Sequence, residues 1–142
     1  MSKRQEPENR ESTATNDKPT GELAIRTVAM PADTNPNGDI FGGWLMSQMD
    51  VAGGVTANAR ARGRVATVAA DAMVFLRPVD VGDVVCCYGD IIKVGTTSIT
   101  VKVEVWVLRH LDNLRRVKVT EATFTYVAID DDGNKRNVPA EI

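Results

Sequence analysis

Histidine is almost absent from this chain: His110 is the only one in 142 residues. Two cysteines and no Cys/His cluster give no spacing for a zinc site. A Ser-His-Asp system would rest on that one histidine, which sits between Arg109 and Leu111 like a surface loop residue, and no serine has a nucleophile context. The cysteines, Cys86 and Cys87, are adjacent in a strand-like run. Neighbours on a strand point to opposite faces, so they read as small buried hydrophobes of a reducing compartment rather than as a disulfide. No apolar run approaches the roughly 18–20 residues of a spanning helix, and the first residues lack the apolar segment of a secretory signal. A cytoplasmic protein with no membrane partner is expected. A net charge of −2 leaves no electrostatic footprint for nucleic acid.

What is present is an ordinary balance, 43% hydrophobic and 25% charged, enough for one domain with one core. Residues 1–20 are rich in charged and small polar side chains and nearly free of apolar ones. They are expected to form a disordered tail ahead of a single domain over 21–142. A short strand is predicted over 23–30 and a loop dense in Pro, Asn, Asp and Gly over 31–39. A helix follows from about 42 to 60, with Arg60, Arg62 and Arg64 complementing the dipole at its end. Strands are predicted over 65–76, 84–94, 99–108 and 117–129. In the third of these, Ile99, Val101, Val103, Val105 and Val107 alternate with Thr100, Lys102, Glu104 and Trp106. Short connections make antiparallel neighbours, so one helix against one antiparallel sheet, an α+β layout, is expected.

The helix is apolar nearly all round. Trp44, Leu45, Met49, Ala52, Val55 and Ala59 cover a broad arc that Met46, Gly53, Gly54 and Ala57 extend. Such a helix must be covered nearly all round. A sheet curling about it, with a second subunit closing the remainder, predicts at least a dimer.

The densest chemistry lies in 35–50. A Pro/Asn/Gly loop runs into Gly42-Gly43, which open the helix, and Asp50 follows about two turns in. Helix starts expose N–H groups that favour negative charge, and a carboxylate in so apolar a stretch is costly unless paired, exposed or used. Gly53 and Gly54 share the face of Asp50. Mid-helix glycines destabilise by about 1 kcal/mol each relative to alanine, which points to close approach by a substrate chain, another backbone or the packed sheet. Gly43 and Asp50 are seven residues apart, about 10 Å along the axis. One carbonyl cannot touch both within one subunit, so a shared site would draw them from two.

These residues resemble the YciA-type acyl-CoA thioesterases, a branch of the hotdog-fold superfamily. The resemblance runs from about Arg26 to Pro139 and is carried by long runs. They include Ala29-Met30-Pro31-Ala32-Asp33-Thr34-Asn35, Asn37-Gly38-Asp39-Ile40-Phe41-Gly42-Gly43-Trp44-Leu45-Met46-Ser47-Gln48-Met49-Asp50, Phe75-Leu76-Arg77-Pro78 and Glu104-Val105-Trp106-Val107. It implies an antiparallel sheet wrapped around one long central helix, paired into homodimers and assembled as trimers of dimers. It also implies hydrolysis of acyl-CoA thioesters without a metal or separate cofactor. The family's catalytic carboxylate falls on Asp50, its helper from the other subunit on Asp39, and its oxyanion-binding amides on Gly42 and Gly43.

Asn35 and Asn37 are candidates to position water or the acid, or else to shape the turn ahead of Gly38. CoA carries phosphates, so Arg64, Arg77 and Lys93 are candidate phosphate contacts, with Thr67 and Ser98 as hydrogen-bonding partners. Asp50 would act as a nucleophile or as a general base for water. Two competing readings differ in class. A hydratase on CoA thioesters would need histidine beside an acid, which the position of His110 does not provide. A non-catalytic acyl-CoA sensor or binding protein would bind the ligand without turnover.

Overall fold

The computed structural model describes residues 18–141. Of the tail expected over 1–20, residues 1–17 lie outside the described residues. Strand β1 (Glu22–Val28) leads through a 3-10 turn (Pro31–Asp33) into helix α1 (Gly42–Ala61). Strands β2 (Val65–Phe75), β3 (Val84–Val94), β4 (Ser98–Arg109) and β5 (Arg115–Ala128) follow. All pairs are antiparallel, in the order β1-β3-β4-β5-β2. The sheet curls around α1, which packs on every strand. This is the hotdog arrangement that the resemblance implies.

The alternation read in β4 decides the inner face. Ile99, Val101, Val103, Val105 and Val107 are all fully buried and form the floor beneath the helix. In β5 the inward set changes phase, from Val117 and Val119 to Ala122, Phe124, Tyr126 and Ala128. The cause is a bulge: two steps of β5, from Lys118 to Thr120, face one step of β4, from Trp106 to Val105. The two cysteines are buried on β3 and form no disulfide. Cys87 joins the core, while Cys86 pairs with Trp106 of β4. Burial, with Cys86 beside it, pushes the Cys87 thiol up to about 12.

Strand order corrects one expectation. The connection between β2 and β3 is short, yet these strands are not neighbours: β2 pairs with β5, and β3 with β1. The helix carries the chain from one edge of the sheet to the other. The eight residues 76–83 then carry it back, and at about 3.3 Å each they reach far enough to pass two strands spaced about 4.8 Å apart.

The outer face of β4 is more buried than its polar sequence implies. Glu104 and Trp106 are only 2% and 3% exposed. Trp106 Nε1 donates to Glu104 Oε1 at 2.8 Å, and the Thr20 hydroxyl donates to Oε2 at 2.6 Å. Lys102 and Lys118 lie 3.2 and 3.7 Å from the same carboxylate. Arg116 stacks over the Trp106 ring.

The helix is covered on one side only. Leu45, Met49, Ala52, Gly53, Ala57 and Ala61 are buried against the sheet. Val55 and Ala59, which the helical wheel groups with them, are exposed. With Val51 they form an i, i+4, i+8 stripe that the sheet does not reach. Strand β2 has a free edge and leaves Val68, Val74 and Phe75 about half exposed.

Candidate active site

The loop before α1 is built on Asn35. Its Oδ1 accepts the N–H groups of Asn37 at 2.9 Å and Asp39 at 3.1 Å, and its own N–H donates to the Asp39 carbonyl at 2.7 Å. Gly38 supplies the left-handed conformation that this turn needs, at φ 89°. Ile40 N–H donates to the Val79 carbonyl, and Phe41 N–H to the Asp33 carbonyl. The side-chain oxygen of Asn35 is thus committed to the loop, and Asp39 sits half-buried at its end.

Helix α1 starts without a capping side chain. Phe41 occupies the cap position and makes no side-chain hydrogen bond. The Gly42 and Gly43 N–H groups belong to the first turn, which has no acceptors of its own. A Cβ on Gly43 would meet nothing within 4 Å. The helix therefore begins as an open set of donors at its positive end.

Asp50 is held by two hydroxyls. Thr67 Oγ1 donates to Asp50 Oδ1 at 2.7 Å, and Tyr126 Oη lies 3.1 Å from the same oxygen and 2.9 Å from the Asp50 carbonyl. Thr67 on β2 and Tyr126 on β5 are paired across the sheet, so the two hydroxyls rise side by side beneath the helix. Among the described residues, Oδ2 of Asp50 accepts no hydrogen bond. One carboxylate oxygen is anchored and the other is left for water or substrate. Tyr126 is 1% exposed. Burial, followed by the charge of Asp50 and the hydrogen bond to it, raises the phenol far above its ordinary value, which keeps it protonated as a donor.

Gly53 owes its place to Tyr126. A Cβ there would lie 2.2 Å from the phenol oxygen and 3.0 Å from two ring carbons. The close approach expected at the glycines is made by a side chain of the sheet rather than by a substrate chain or another backbone. Gly54 has looser contact with the same ring, at 3.8 Å, and lies between Val51 and Val55 of the exposed stripe.

The remaining candidates fall in three places. Thr67 stands at the acid. Arg64, Lys93 and Ser98 lie at the end of the sheet formed by the β3–β4 hairpin, where Ser98 faces Val127 and Ile129 N–H donates to the Arg64 carbonyl. Arg77 lies beyond the far end of β2, where its N–H meets the Val119 carbonyl, about 33 Å along the partner strand from Ile129 beside Arg64, and its side chain donates to the Lys118 carbonyl. The two arginines cannot grip one phosphate within one chain. The arginines at and just beyond the end of the helix act on the C-terminal segment. Arg60 donates to the Pro139 carbonyl at 2.6 Å, Arg62 to Ala140 at 3.1 Å, and Arg64 to Asp130 and Asp131 at 3.2 Å each. Of the hydrophobic neighbours of the acid, Met49 is core, whereas Met46 and Phe41 are exposed.

Sequence reasoning missed Tyr126 as a site residue and assigned Thr67 to the wider substrate contacts. The signal for Tyr126 was the unexplained glycine three residues beyond Asp50, on the helix face toward which β5 points a large side chain. Among the described residues, no group of three or more His, Cys, Asp or Glu side chains could hold a metal ion, and no helix is long and apolar enough to cross a membrane.

A family model of the Thioesterase superfamily matches residues 37–111, which span the loop, the helix and the first three strands after it. An acyl-CoA thioester hydrolase YciA of Salmonella typhimurium is 56% identical over 131 residues, covering 91% of this chain and 98% of that protein. The crystal structure of a hexameric thioesterase from Yersinia pestis superposes with a TM-score of 0.83 at 59% identity, covering 87% of this chain and all of the other. A second crystal structure, of HI0827, described as a hexameric broad specificity acyl-coenzyme A thioesterase, gives a TM-score of 0.84 at 54% identity, over 86% and 89% of the two chains.

Proposed function

We infer that the chain, which belongs to the YciA-type acyl-CoA thioesterases of the thioesterase superfamily, hydrolyses acyl-CoA thioesters to free acid and CoA at a site shared between two protomers. The observation that carries the chemistry is the one-sided clamp on Asp50: Oδ1 is held by Thr67 and Tyr126, and Oδ2 is left open. Oδ2 either attacks the thioester carbonyl, forming a mixed anhydride as the C–S bond breaks, which water then hydrolyses to the free acid and the regenerated carboxylate, or takes a proton from the attacking water. In both routes the carbonyl oxygen gains negative charge. The Gly42 and Gly43 N–H groups of a second protomer receive it, with Asp39 beside them. Loss of one such donor costs roughly 3–4 kcal/mol of transition-state stabilisation in comparable sites. CoA thiolate is a good leaving group, which lessens the need for an acid catalyst.

Two features support sharing. Gly43 and Asp50 lie about 10 Å apart along one helix, too far for one carbonyl. The Val51–Val55–Ala59 stripe and the free edge of β2, with Val68, Val74 and Phe75 about half exposed, are also apolar surfaces that a second copy would cover. A two-fold axis between antiparallel helices sets the helix start of each protomer against Asp50 of the other and creates two equal sites. The same axis brings Arg77 of one protomer toward the end of the sheet where Arg64 and Lys93 of its mate reside. The hexameric relatives support further assembly as a trimer of dimers.

Subunit complementation tests this reading. Asp50→Asn removes the reacting carboxylate, and Gly43→Pro removes an N–H at a position where the first helical turn tolerates proline. Each variant alone is expected to release no CoA thiol. Co-expressed, they form mixed dimers in which one site keeps both native groups, and about a quarter of wild-type activity returns if pairing is random. Inactivity of the mixture, with mixed dimers present, would overturn the shared site. Binding of acyl-CoA by wild type without thiol release would overturn hydrolysis.

A further inference from the structure

We propose that Tyr126 is the positioning residue of the reaction, fixing the orientation of Asp50 through a phenol that reaches the helix only because residue 53 is glycine. The proposal rests on the reading of Asp50 as the reacting carboxylate.

An aspartate on an exposed helix face samples several χ1 wells and a broad χ2. A reacting oxygen must hold its angle to the carbonyl within narrow limits, because misplacement by an ångström costs orders of magnitude in rate. Thr67 limits the carboxylate but sits on the exposed edge strand. Tyr126 does not share that exposure. It is buried, stacked beside Phe124 with ring centroids 6.3 Å apart, and carried on β5 between two paired strands.

A purely structural tyrosine would be satisfied by one acceptor. This phenol is forked between the Asp50 carbonyl at 2.9 Å and Asp50 Oδ1 at 3.1 Å. It thereby ties the carboxylate to its own backbone and leaves Oδ2 turned away. The fork exists because the helix comes down onto the ring at Gly53, where any Cβ would overlap the phenol oxygen at 2.2 Å. The helix accepts a residue that weakens it at the one position where the phenol passes.

The test measures kcat and KM by CoA thiol release for Tyr126→Phe, Gly53→Ala, the double variant and Asp50→Asn, each with its melting temperature. Tyr126→Phe keeps the ring and loses the fork. Its kcat is expected to fall about tenfold, with KM within about twofold of wild type, as for an interaction realised in the transition state. Gly53→Ala is expected to lower kcat further and to melt earlier. The double variant recovers part of that melting temperature, since removal of the hydroxyl removes the 2.2 Å overlap, while kcat stays at the Tyr126→Phe level. If Tyr126→Phe lowers the melting temperature and leaves kcat within twofold, or raises KM alone, while Asp50→Asn is inactive, the positioning role is overturned and the reading of Asp50 survives. Full activity in Asp50→Asn would overturn both.

Discussion

Removal of the Asp83 side chain should cost this protein more stability than any single truncation of its valine core. Asp83 is 1% exposed and precedes β3. Its Oδ2 accepts from Arg109 Nη1 at 2.7 Å and from Asp80 N–H at 2.9 Å, and its Oδ1 accepts from His110 N–H at 3.1 Å. Both side chains of the ion pair are nearly sealed from water, at 6% and 1% exposure. Breaking such a pair by deleting one partner costs about 3–5 kcal/mol, because the other charge stays buried after losing a close, desolvated interaction. For a domain of this length, each kcal/mol lowers the melting temperature by roughly 3–5 °C, so Asp83→Ala should melt roughly 10–20 °C below wild type.

The loss would reach the candidate active site. The Asp83 carbonyl accepts from Ala29, Gly82 donates to the Ala29 carbonyl, and Val79 holds Ile40, so this turn supports both ends of the loop that leads to the helix start. Calorimetry at fixed protein concentration is the assay, since an assembly's melting point depends on concentration. Arg109→Met in the Asp83→Ala background replaces the buried guanidinium that lost this carboxylate with an apolar side chain and should raise the melting temperature again. A drop of less than about 3 °C for Asp83→Ala, or a double variant no more stable than the single, would refute the assignment of that stability to the ion pair.

Two further outcomes are expected. Burial pushes the Glu104 carboxyl up, but hydrogen bonds from Thr20 and Trp106 and the charge of Lys118 outweigh it and hold it below its ordinary value of 4.5. The folded group has the lower value, so its stabilisation is present above about pH 4.5 and is lost as pH falls through the folded value. Glu104→Gln should therefore flatten the acid side of a melting-temperature profile against pH, and an unchanged slope there would count against the network. Val55→Glu places a charge in the exposed helix stripe, at a side chain that is 51% exposed. Size-exclusion chromatography should show dissociation with the activity lost in parallel, and an intact, active assembly would rule out that stripe as the protomer contact.

The sequence alone determined the elements and singled out the candidate acid, because both are written in local order. Period-two alternation from Ile99 to Val107 needs no partner to be read as a half-buried strand. Two glycines ahead of an apolar run, with one carboxylate on its face, mark a helix start and a misplaced charge whatever the surrounding fold. The tertiary structure decided what local order does not contain. The short link after β2 pointed to β3 as its neighbour, yet the helix crosses the sheet and delivers β2 to β5. That register alone sets Thr67 opposite Tyr126 and joins both to Asp50 across 17 and 76 positions of chain. The same folding leaves one stripe of the helix uncovered although the helix is apolar nearly all round, because a sheet can wrap only the side that faces it. Contacts between distant segments follow from strand register and the path of the chain, and no periodicity along the sequence records them.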